Sequence, residues 1–390
     1  MARGKGTSLL VLSIAVIFWY FSSAVCTSCG KAALNLLLPR AGSCALSLTT
    51  MQFVISAVAT VFACGILGRR PPSAPFETFL VSLSYTMGFL LLNCSLGKLA
   101  ASFSETVRGL EPLTSFILVR IFAARGGALT SGMAGALLCV LLGAALAVWA
   151  QPAFDLNGLL LGLLANCAFS SRGLLVTMLQ DAAQRKAKWE GATQAGAPAG
   201  APTSSAPSGA IDPIGLFAAQ HVLGLVVLAP AAYLAEGATC ARALRRDEHA
   251  LQMAAYSALG FLTYNFLSLL VLLLMDAVSH SVLNTTRRAV TIVAAAIFFQ
   301  NAISFVSAVG ILLIIGGACA YAVFSSRAKK AAATAAGSSV CGLREAVLSH
   351  DSDNSQSSSE ADALLKAATG GGVPSAAAGG SDVESGGRGP

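Results

Sequence analysis

Long apolar segments recur through the first 325 residues of this chain and constrain its fold more than any other feature. Each is close to the roughly 20 residues that a helix needs to cross a bilayer. Charged residues make up 11% of the chain, whereas an average soluble protein has about 25%. The segments therefore predict an all-α, polytopic membrane protein. The ten predicted spans are 8–29, 43–67, 77–96, 100–123, 129–150, 156–179, 212–235, 251–275, 279–299 and 303–325.

Polar segments divide the chain into a predicted membrane domain, 8–325, a short N-terminus, 1–7, and a tail, 326–390. The segment 181–211 is rich in Ala, Gly, Pro and Ser, a composition typical of flexible linkers. We expect it to interrupt the domain after the sixth span. The tail is rich in Ser, Gly, Ala and Asp, which predicts disorder.

The positive charges in the loops predict the orientation, because Lys and Arg are enriched on the cytoplasmic side of membrane proteins. They predominate on the side that holds both termini, so both termini are expected in the cytosol. The arginine-rich segment 242–246 on the opposite side is an exception. The net charge of +7 comes largely from these loops and does not indicate a nucleic-acid-binding surface.

The sequence does not indicate an enzyme active site or a metal site. Most of the 10 cysteines lie inside apolar segments. Cys26 and Cys29 have the spacing of a redox or metal motif, but no partner pair follows, so we expect packing residues. The sequence has no metal-ligand cluster, no Cys/His nucleophile arrangement and no glycine loop suited to phosphate within the predicted spans. We therefore predict neither an enzyme nor a cofactor.

An internal repeat links the two halves of the predicted domain. When the chain is shifted by 179 residues, 105–108 (ETVR) falls on 284–287 (NTTR), and Tyr85 falls on Tyr264. Each tyrosine lies 23 residues before the arginine of its repeat. Because each half of a five-plus-five division holds an odd number of spans, the second half is inverted. The sequence therefore predicts ten helices in two inverted five-helix repeats.

Several charged residues fall inside the predicted spans, where each costs on the order of 2.5–3.5 kcal/mol. The acidic residues at comparable depth are Glu105 and Glu111, so cations outnumber anions. This excess predicts a water-filled cavity that receives an anion. The cations are Arg108, Arg172, Arg287 and Arg288.

Each of these arginines has a structural alternative to anion binding. Arg108 follows Glu105 by three positions and could pair with it instead of binding an anion. For Arg172 we favour a structural role. Arg287 and Arg288 have no carboxylate in their own span, and adjacent helical positions point about 100° apart. A phosphate dianion could meet both, because the guanidinium fork matches phosphate oxygens in pairs.

Other polar residues are predicted to lie near the arginine pair. His280, Asn284, Arg287 and Thr291 share one face of the predicted ninth helix, and Tyr264 can donate a phenolic hydrogen bond. Interhelical hydrogen bonding is an equally good explanation for His280, Asn284 and Thr291.

Four stretches together resemble the triose-phosphate translocator family, a branch of the drug/metabolite transporter superfamily related to nucleotide-sugar transporters. They are NCSLGKLAASFSETVRGLEPLTSFILVRIF (93–122), ANCAFSSRGLL (165–175), YNFLSLLVL (264–272) and HSVLNTTRRAVTIVAAAIFF (280–299). The resemblance implies ten helices in two inverted halves. It also implies exchange of a phosphorylated metabolite for phosphate, or of a nucleotide sugar for its monophosphate.

The resemblance also implies which residues hold the cargo. Phe89 and Leu92 stand where plastid members have a histidine and a threonine, which implies an organic group other than triose phosphate. The positions that match the family's phosphate-binding residues, with a lysine after the first helix, are Arg108, Arg287, Arg288, Tyr264 and Lys31.

The sequence therefore predicts an antiporter that exchanges a sugar phosphate or similar organic phosphate for inorganic phosphate by alternating access. Its partners would be these two solutes and membrane lipid, with no nucleic acid. The short N-terminus favours a secretory-pathway or outer-envelope membrane over an inner plastid membrane, so we expect a Golgi or endoplasmic reticulum membrane or a plastid-type envelope. One alternative is a nucleotide-sugar/nucleoside monophosphate antiporter of the Golgi or endoplasmic reticulum. Another is a membrane scaffold without transport, which would leave the arginine pair unexplained.

Overall fold

The computed structural model describes residues 2–72, 74–122, 129–150, 155–194, 211–275 and 277–350. Within these ranges all regular structure is helical and no strand is present, which confirms the all-α prediction. The helices are α1 (Ala2–Ala41), α2 (Ala45–Leu67), α3 (Pro75–Lys98), α4 (Ala101–Arg108), α5 (Glu111–Phe122), α6 (Ser131–Trp149), α7 (Leu156–Gln194), α8 (Pro213–Ala235), α9 (Gly237–Arg246), α10 (Glu248–Leu274), α11 (Ala277–Phe298) and α12 (Phe305–His350).

Eight of the described helices are long and apolar enough to cross a membrane: α1, α2, α3, α6, α7, α8, α10 and α12. The two other predicted spans, 100–123 and 279–299, correspond to α4 with α5 and to α11. The helices α4 and α5 have only 8 and 12 residues, and α11 carries many polar side chains. The helix order is therefore consistent with the ten predicted crossings.

The fourth predicted span is not one continuous helix, because Pro112 interrupts its hydrogen bonding. In a continuous helix the carbonyl of Arg108 would accept from residue 112, but proline has no backbone N–H. The chain turns tightly instead, and the amide of Gly109 donates to the Thr106 carbonyl at 2.9 Å. The Arg108 carbonyl is thereby left for the guanidinium group of Arg288.

Helix packing follows the symmetry that an inverted repeat requires. Helix α1 packs on α10 and α11, and its counterpart α7 packs on α3, α4 and α5. In the same way, α3 packs on α8 as α10 packs on α2. The pairs α2–α8 and α4–α11 each join two equivalent helices. The architecture is therefore that of two inverted halves, with α4 and α11 meeting across the pseudo-two-fold axis.

Two predicted non-helical segments are only partly described. Helix α7 continues to Gln194, inside the predicted flexible loop 181–211, and residues 195–210 lie outside the described part. One compact unit covers Met1–Ser326. Beyond it α12 continues as helix to His350, while the rest of the predicted tail, 351–390, lies outside the described residues.

A disulfide between Cys44 and Cys240 joins the α1–α2 connection to α9. Sequence analysis missed it because the two positions are 196 residues apart. Among the described residues, Cys44, Cys240 and Glu236 lie close enough together to hold a metal ion, but the two sulfur atoms are bonded to each other. The group is therefore a covalent cross-link between the halves.

Two polar contacts beside the disulfide reinforce this connection. The Glu236 carboxylate accepts from the backbone amides of Leu46 and Ser47 at 2.9 and 2.7 Å, so this residue between α8 and α9 caps the N-terminus of α2. Arg40, at the end of α1, pairs with Asp247 between α9 and α10. The end of α1, the start of α2 and the α8–α10 connection are therefore fastened together.

Two glycines bring α6 and α12, the fifth pair of equivalent helices, into backbone contact. A Cβ atom added to Gly143 would lie 2.6 Å from the carbonyl oxygen of Gly310, and one added to Gly310 would lie 2.7 Å from that of Gly143. Small residues permit such close approach in membranes, where packing rather than the hydrophobic effect drives helix association.

This crossing can be tested with a matched pair of variants. We expect Gly143→Val to destabilise the protein by about 1–3 kcal/mol, because the added side chain must separate α6 from α12. Gly135 lies in the same helix with nothing within 4 Å of an added Cβ, so Gly135→Val serves as the control. Thermal unfolding in detergent compares them, and equal midpoints for both variants would contradict the close crossing.

Candidate anion-binding site

The three predicted phosphate-binding arginines lie buried where α4 and α11 meet. Arg108, Arg287 and Arg288 are 7%, 2% and 5% exposed. Arg108 ends α4, where the helix breaks, and the other two stand in the middle of α11. Because α4 and α11 are equivalent helices of the two repeats, each half supplies cations to the same region.

Arg287 is held by neutral groups. Its guanidinium carbon lies 5.9 Å from the ring centre of Trp19 and 5.2 Å from that of Tyr264, within the range of cation–π attraction. It donates to the Oδ1 atom of Asn284 at 3.1 Å and to the hydroxyl of Ser23. No ion pair joins Arg287 to a carboxylate in the described part of the chain. Arg287 therefore has no direct contact with a carboxylate in this part of the chain, and Glu105 acts on its charge only from a distance.

The other two arginines each face a carboxylate. Arg288 pairs with Glu111 of α5 and also donates to the carbonyl of Arg108. The Nη1 atom of Arg108 lies 3.6 Å from Oε1 of Glu105. Arg108 therefore pairs with Glu105, which the sequence analysis gave as the alternative to anion binding. These three guanidinium groups and two carboxylates sum to one net positive charge, not counting Arg172 of the adjoining larger cavity.

Several polar atoms around these charges have no hydrogen-bond partner in the described chain. They include Nε of Arg108, Nε of Arg288 and Oε2 of Glu105. Buried polar groups are nearly always paired, so such atoms are expected to bind water, an ion or a ligand. The site therefore retains unused donors and one unused acceptor.

Two of the cavities are lined by arginines, the central one by Arg108 and the larger one by Arg172. The central one, of ≈ 20 Å³, is lined by Arg108, Glu105 and Tyr264 together with residues of α1, α2 and α3. It has room for about one water molecule and none for a metabolite. The second cavity, of ≈ 250 Å³, reaches Leu216 and Pro213 at the start of α8, on the side predicted to face the cytosol. In this conformation the wider space therefore lies toward the termini.

Two further predicted site residues, His280 and Lys31, contact groups other than the three arginines. The His280 ring stacks on Trp19 with 5.1 Å between ring centres, and its Nε2 atom lies 3.1 Å from the hydroxyl of Ser268. Lys31 donates to the Gly97 carbonyl at 3.2 Å and lines neither of these cavities. His280 thus backs the aromatic ring beneath Arg287, whereas Lys31 lies apart from the cavities.

Arg172 lines the larger cavity, which the sequence analysis did not predict. Its guanidinium carbon lies 4.7 Å from the ring centre of Tyr85, and it donates to the Oε1 atom of Gln220 at 3.1 Å. Tyr85 is the repeat partner of Tyr264, which lies beneath Arg287. Arg172 therefore lies over the tyrosine of the first repeat as Arg287 lies over the tyrosine of the second, a contact between helices that neither helix's own sequence pattern indicates.

Comparison with known proteins assigns the chain to a family. The sequence model of the Triose-phosphate Transporter family matches residues 10–322. The chain belongs to this family. The match covers all helices that carry the buried arginines and tyrosines, and it extends from α1 into α12.

Several relatives of this family member are plastid translocators. The triose phosphate/phosphate translocator of non-green plastids from Brassica oleracea var. botrytis is 26% identical over 330 residues, covering 82% of this chain and 74% of the relative. Phosphoenolpyruvate/phosphate translocator 1 of Arabidopsis thaliana is also 26% identical, covering 82% and 72%. The xylulose 5-phosphate/phosphate translocator of Arabidopsis thaliana is 23% identical, covering 84% and 73%.

The Arg288–Glu111 pair makes a prediction about stability. Arg288→Met or Glu111→Gln alone leaves a buried or partly buried charge unpaired and should cost up to about 3 kcal/mol. The double variant should be less destabilised than the sum of the two single variants, because neither charge then remains. Thermal unfolding of the purified transporter in detergent provides the measurement.

The exposed pair of Arg40 and Asp247 supplies the comparison. Its arginine side chain is 55% exposed, so water screens the interaction and Arg40→Met should have a smaller effect. Strictly additive effects of the Arg288 and Glu111 changes would show that the pair does not couple α5 to α11.

Proposed function

We propose that this family member is a secondary antiporter that exchanges a sugar phosphate or similar organic phosphate for inorganic phosphate across an intracellular membrane. The phosphate translocators among its relatives support this assignment. The observation that carries it is Arg287, whose buried guanidinium group has only neutral partners in the described chain. Such a charge is costly in a bilayer unless an anion compensates it.

The proposed phosphate position lies between Arg287 and Arg108. Guanidinium groups bind phosphate oxygens through paired, charge-assisted hydrogen bonds, and Arg108 retains an unpaired Nε donor. The Tyr264 side chain lines the central cavity together with Arg108 and offers its hydroxyl. Arg288, paired with Glu111, holds α11 against the break between α4 and α5 and adds to the positive potential.

Alternating access requires that the cavity on one side narrow as the other widens. The helices form two packed groups for this motion, α1 with α10 and α11 and α7 with α3, α4 and α5, and each group combines helices of both halves. We propose that these groups rock about the arginines. The larger cavity on the cytosolic side would then receive the organic part of the cargo.

Coupling follows from the charge balance of the site. The empty site keeps one net positive charge, which is costly to enclose in a medium of low dielectric constant. A bound phosphate removes that cost, so closure around cargo is favoured over closure around an empty site. The transporter should therefore exchange one anion for another rather than move either alone.

Reconstitution in liposomes tests this proposal. We expect rapid uptake of labelled phosphate into liposomes preloaded with phosphate or sugar phosphate, and little uptake into liposomes that contain buffer alone. Arg287→Ala should reduce exchange at least about a hundredfold, because the uncompensated cation is removed. Arg242→Ala changes an exposed arginine of α9 and serves as the control.

Equal uptake with and without internal phosphate would refute the coupling. Exchange retained in a folded Arg287→Ala variant would refute the assigned role of Arg287. A panel of internal sugar phosphates and nucleotide sugars identifies the organic part of the cargo.

The membrane proposed for this transporter is that of the Golgi or endoplasmic reticulum. Cys44 follows one predicted crossing and Cys240 follows seven, so both lie on the face opposite the termini. Disulfides persist in oxidising compartments such as the lumen of the secretory pathway and are rare on the cytosolic side. The cross-link therefore supports cytosolic termini and a lumenal disulfide, and it favours this location over a plastid-type envelope.

Thiol labelling in intact cells tests the location. After free thiols are blocked in the cell, Cys44 and Cys240 should react with a second maleimide only after reduction, because they are bonded to each other. A variant with both changed to alanine should lack this second labelling, and Cys139→Ala, which changes a free cysteine, should retain it. Immediate labelling of both thiols, or a tagged protein found only in plastids, would refute the proposed membrane.

A nucleotide sugar is the second candidate cargo. The Phe89 ring lies 4.9 Å from Phe169 and 4.7 Å from Phe261, between ring centres, and Phe89 and Phe261 also line the central cavity. Aromatic faces of this kind can stack on a nucleobase. Exchange of a nucleotide sugar for its monophosphate, without exchange of sugar phosphates, would favour this candidate, and absence of all exchange would favour a scaffold.

A further inference from the structure

The indole ring of Trp19 lies beside Arg287, the arginine that has no direct contact with a carboxylate among the described residues. Trp19 belongs to α1 and is fully buried. The guanidinium carbon of Arg287 lies 5.9 Å from the centre of the indole ring. The ring of His280 stacks on the same indole with 5.1 Å between ring centres and 14° between the planes. The indole therefore contacts two side chains of one helix, α11.

The spacing along α11 creates the place for this ring. His280 and Arg287 are about two helical turns apart, so their side chains share one face with a separation of roughly 10.5 Å along the axis. An aromatic ring fits into a gap of this size. The neighbouring Tyr20 donates its hydroxyl to the carbonyl of Leu283 at 2.8 Å, and Leu283 lies between the two residues in the chain. Helix α1 is therefore fixed at the height where Trp19 enters the gap.

The indole gives Arg287 an attraction that a carboxylate would otherwise supply. Tryptophan attracts cations more strongly than the other aromatic side chains do, and the attraction increases when the pair is removed from water. Both groups are buried, since Arg287 is only 2% exposed. Trp19 lines neither the central nor the larger cavity. The indole therefore acts on Arg287 and does not itself reach the proposed phosphate position in this conformation.

A competing partner for Arg287 lies within electrostatic range. The carboxylate of Glu105 acts on the charge of Arg287 from a distance, and its Oε2 atom is buried without a hydrogen-bond partner in the described part of the chain. A guanidinium group released from the indole would gain a charge-assisted hydrogen bond by turning to this oxygen. Such a pair would neutralise the cation on which phosphate binding is proposed to depend.

We propose that Trp19 is a positioning residue, which holds the guanidinium group of Arg287 away from Glu105 and so keeps it available for phosphate. This role rests on the proposed exchange of phosphate. The stacked ring of His280 and the hydrogen bond of Tyr20 keep the indole in place. The affinity for phosphate then depends on a side chain that does not contact the phosphate.

Exchange kinetics of inorganic phosphate in liposomes test this role. We expect Trp19→Leu to raise the KM for phosphate on the order of tenfold, because the cation–π attraction is lost and Arg287 turns to Glu105. The maximal rate should change by less than about threefold, because bound phosphate draws Arg287 back. Trp19→Phe keeps an aromatic face and should raise the KM less. Trp149→Leu changes a tryptophan that is 85% exposed and should keep the wild-type KM.

A double variant separates positioning from support of the packing. In a Glu105→Gln background the competing charge is absent, so adding Trp19→Leu should raise the KM by less than about threefold. A change that only loosened the packing would raise the KM equally in both backgrounds. Equal effects of Trp19→Leu with and without Glu105→Gln would therefore overturn the proposal.

Fluorescence supplies a readout that keeps Trp19 in place. Trp149 and Trp189 are 85% and 77% exposed, and changing both to phenylalanine leaves Trp19 as the single tryptophan of the chain. Titration of this variant with inorganic phosphate in detergent should give a saturable change in emission, because the cation beside the indole acquires a new partner. Adding Arg287→Ala should abolish the change. Constant emission in a variant that still exchanges phosphate would contradict the proposed role.

The results separate this role from the proposed function. If Trp19→Leu does not fold, the single-tryptophan variant still decides the question, since it retains Trp19. A wild-type protein that exchanges no phosphate would overturn the proposed function together with this role. Exchange with an unchanged KM in a folded Trp19→Leu variant would overturn this role alone.

Discussion

Compensation of buried positive charge governs the centre of this fold. A guanidinium group cannot lose its proton in a protein and is costly inside a bilayer, so each arginine needs partners supplied by other helices. Arg288 has a carboxylate and a backbone carbonyl, and Arg108 has a nearby carboxylate. Arg287 has aromatic rings, a hydroxyl and an amide oxygen. The structure thus gives all three groups polar or aromatic partners, and the three cations exceed the two carboxylates by one charge.

The break between α4 and α5 turns a local defect into part of the site. Pro112 removes a backbone donor, and the freed Arg108 carbonyl becomes a partner of Arg288. Discontinuous helices near the bilayer centre are a recurring means of placing backbone polar groups at a binding site. The polar contacts that the interruption requires therefore join the two inverted halves at their axis, which keeps the arginines of both halves in one region.

Sequence reasoning was sufficient for features that depend on local pattern and failed for those that depend on helix packing. Apolar segments identified the helices, and the shared tyrosine–arginine spacing identified α4 and α11 as equivalent. The pairing of Arg288 with Glu111 joins positions 177 residues apart, and nothing in either helix's own pattern indicates it. The disulfide and the position of Arg172 were missed for the same reason. Pro112, by contrast, was a local signal for the broken span.

The fastened corner of Cys44, Cys240 and Glu236 limits how the molecule moves. A covalent bond and a shared cap join the α1–α2 connection to the segment between α8 and α10. These pieces belong to opposite halves of the repeat, so the halves cannot part at this point. An exit for cargo on this face would instead form along α3 and α4, whose residues also line the central cavity. The corner would then act as the pivot about which that gap opens.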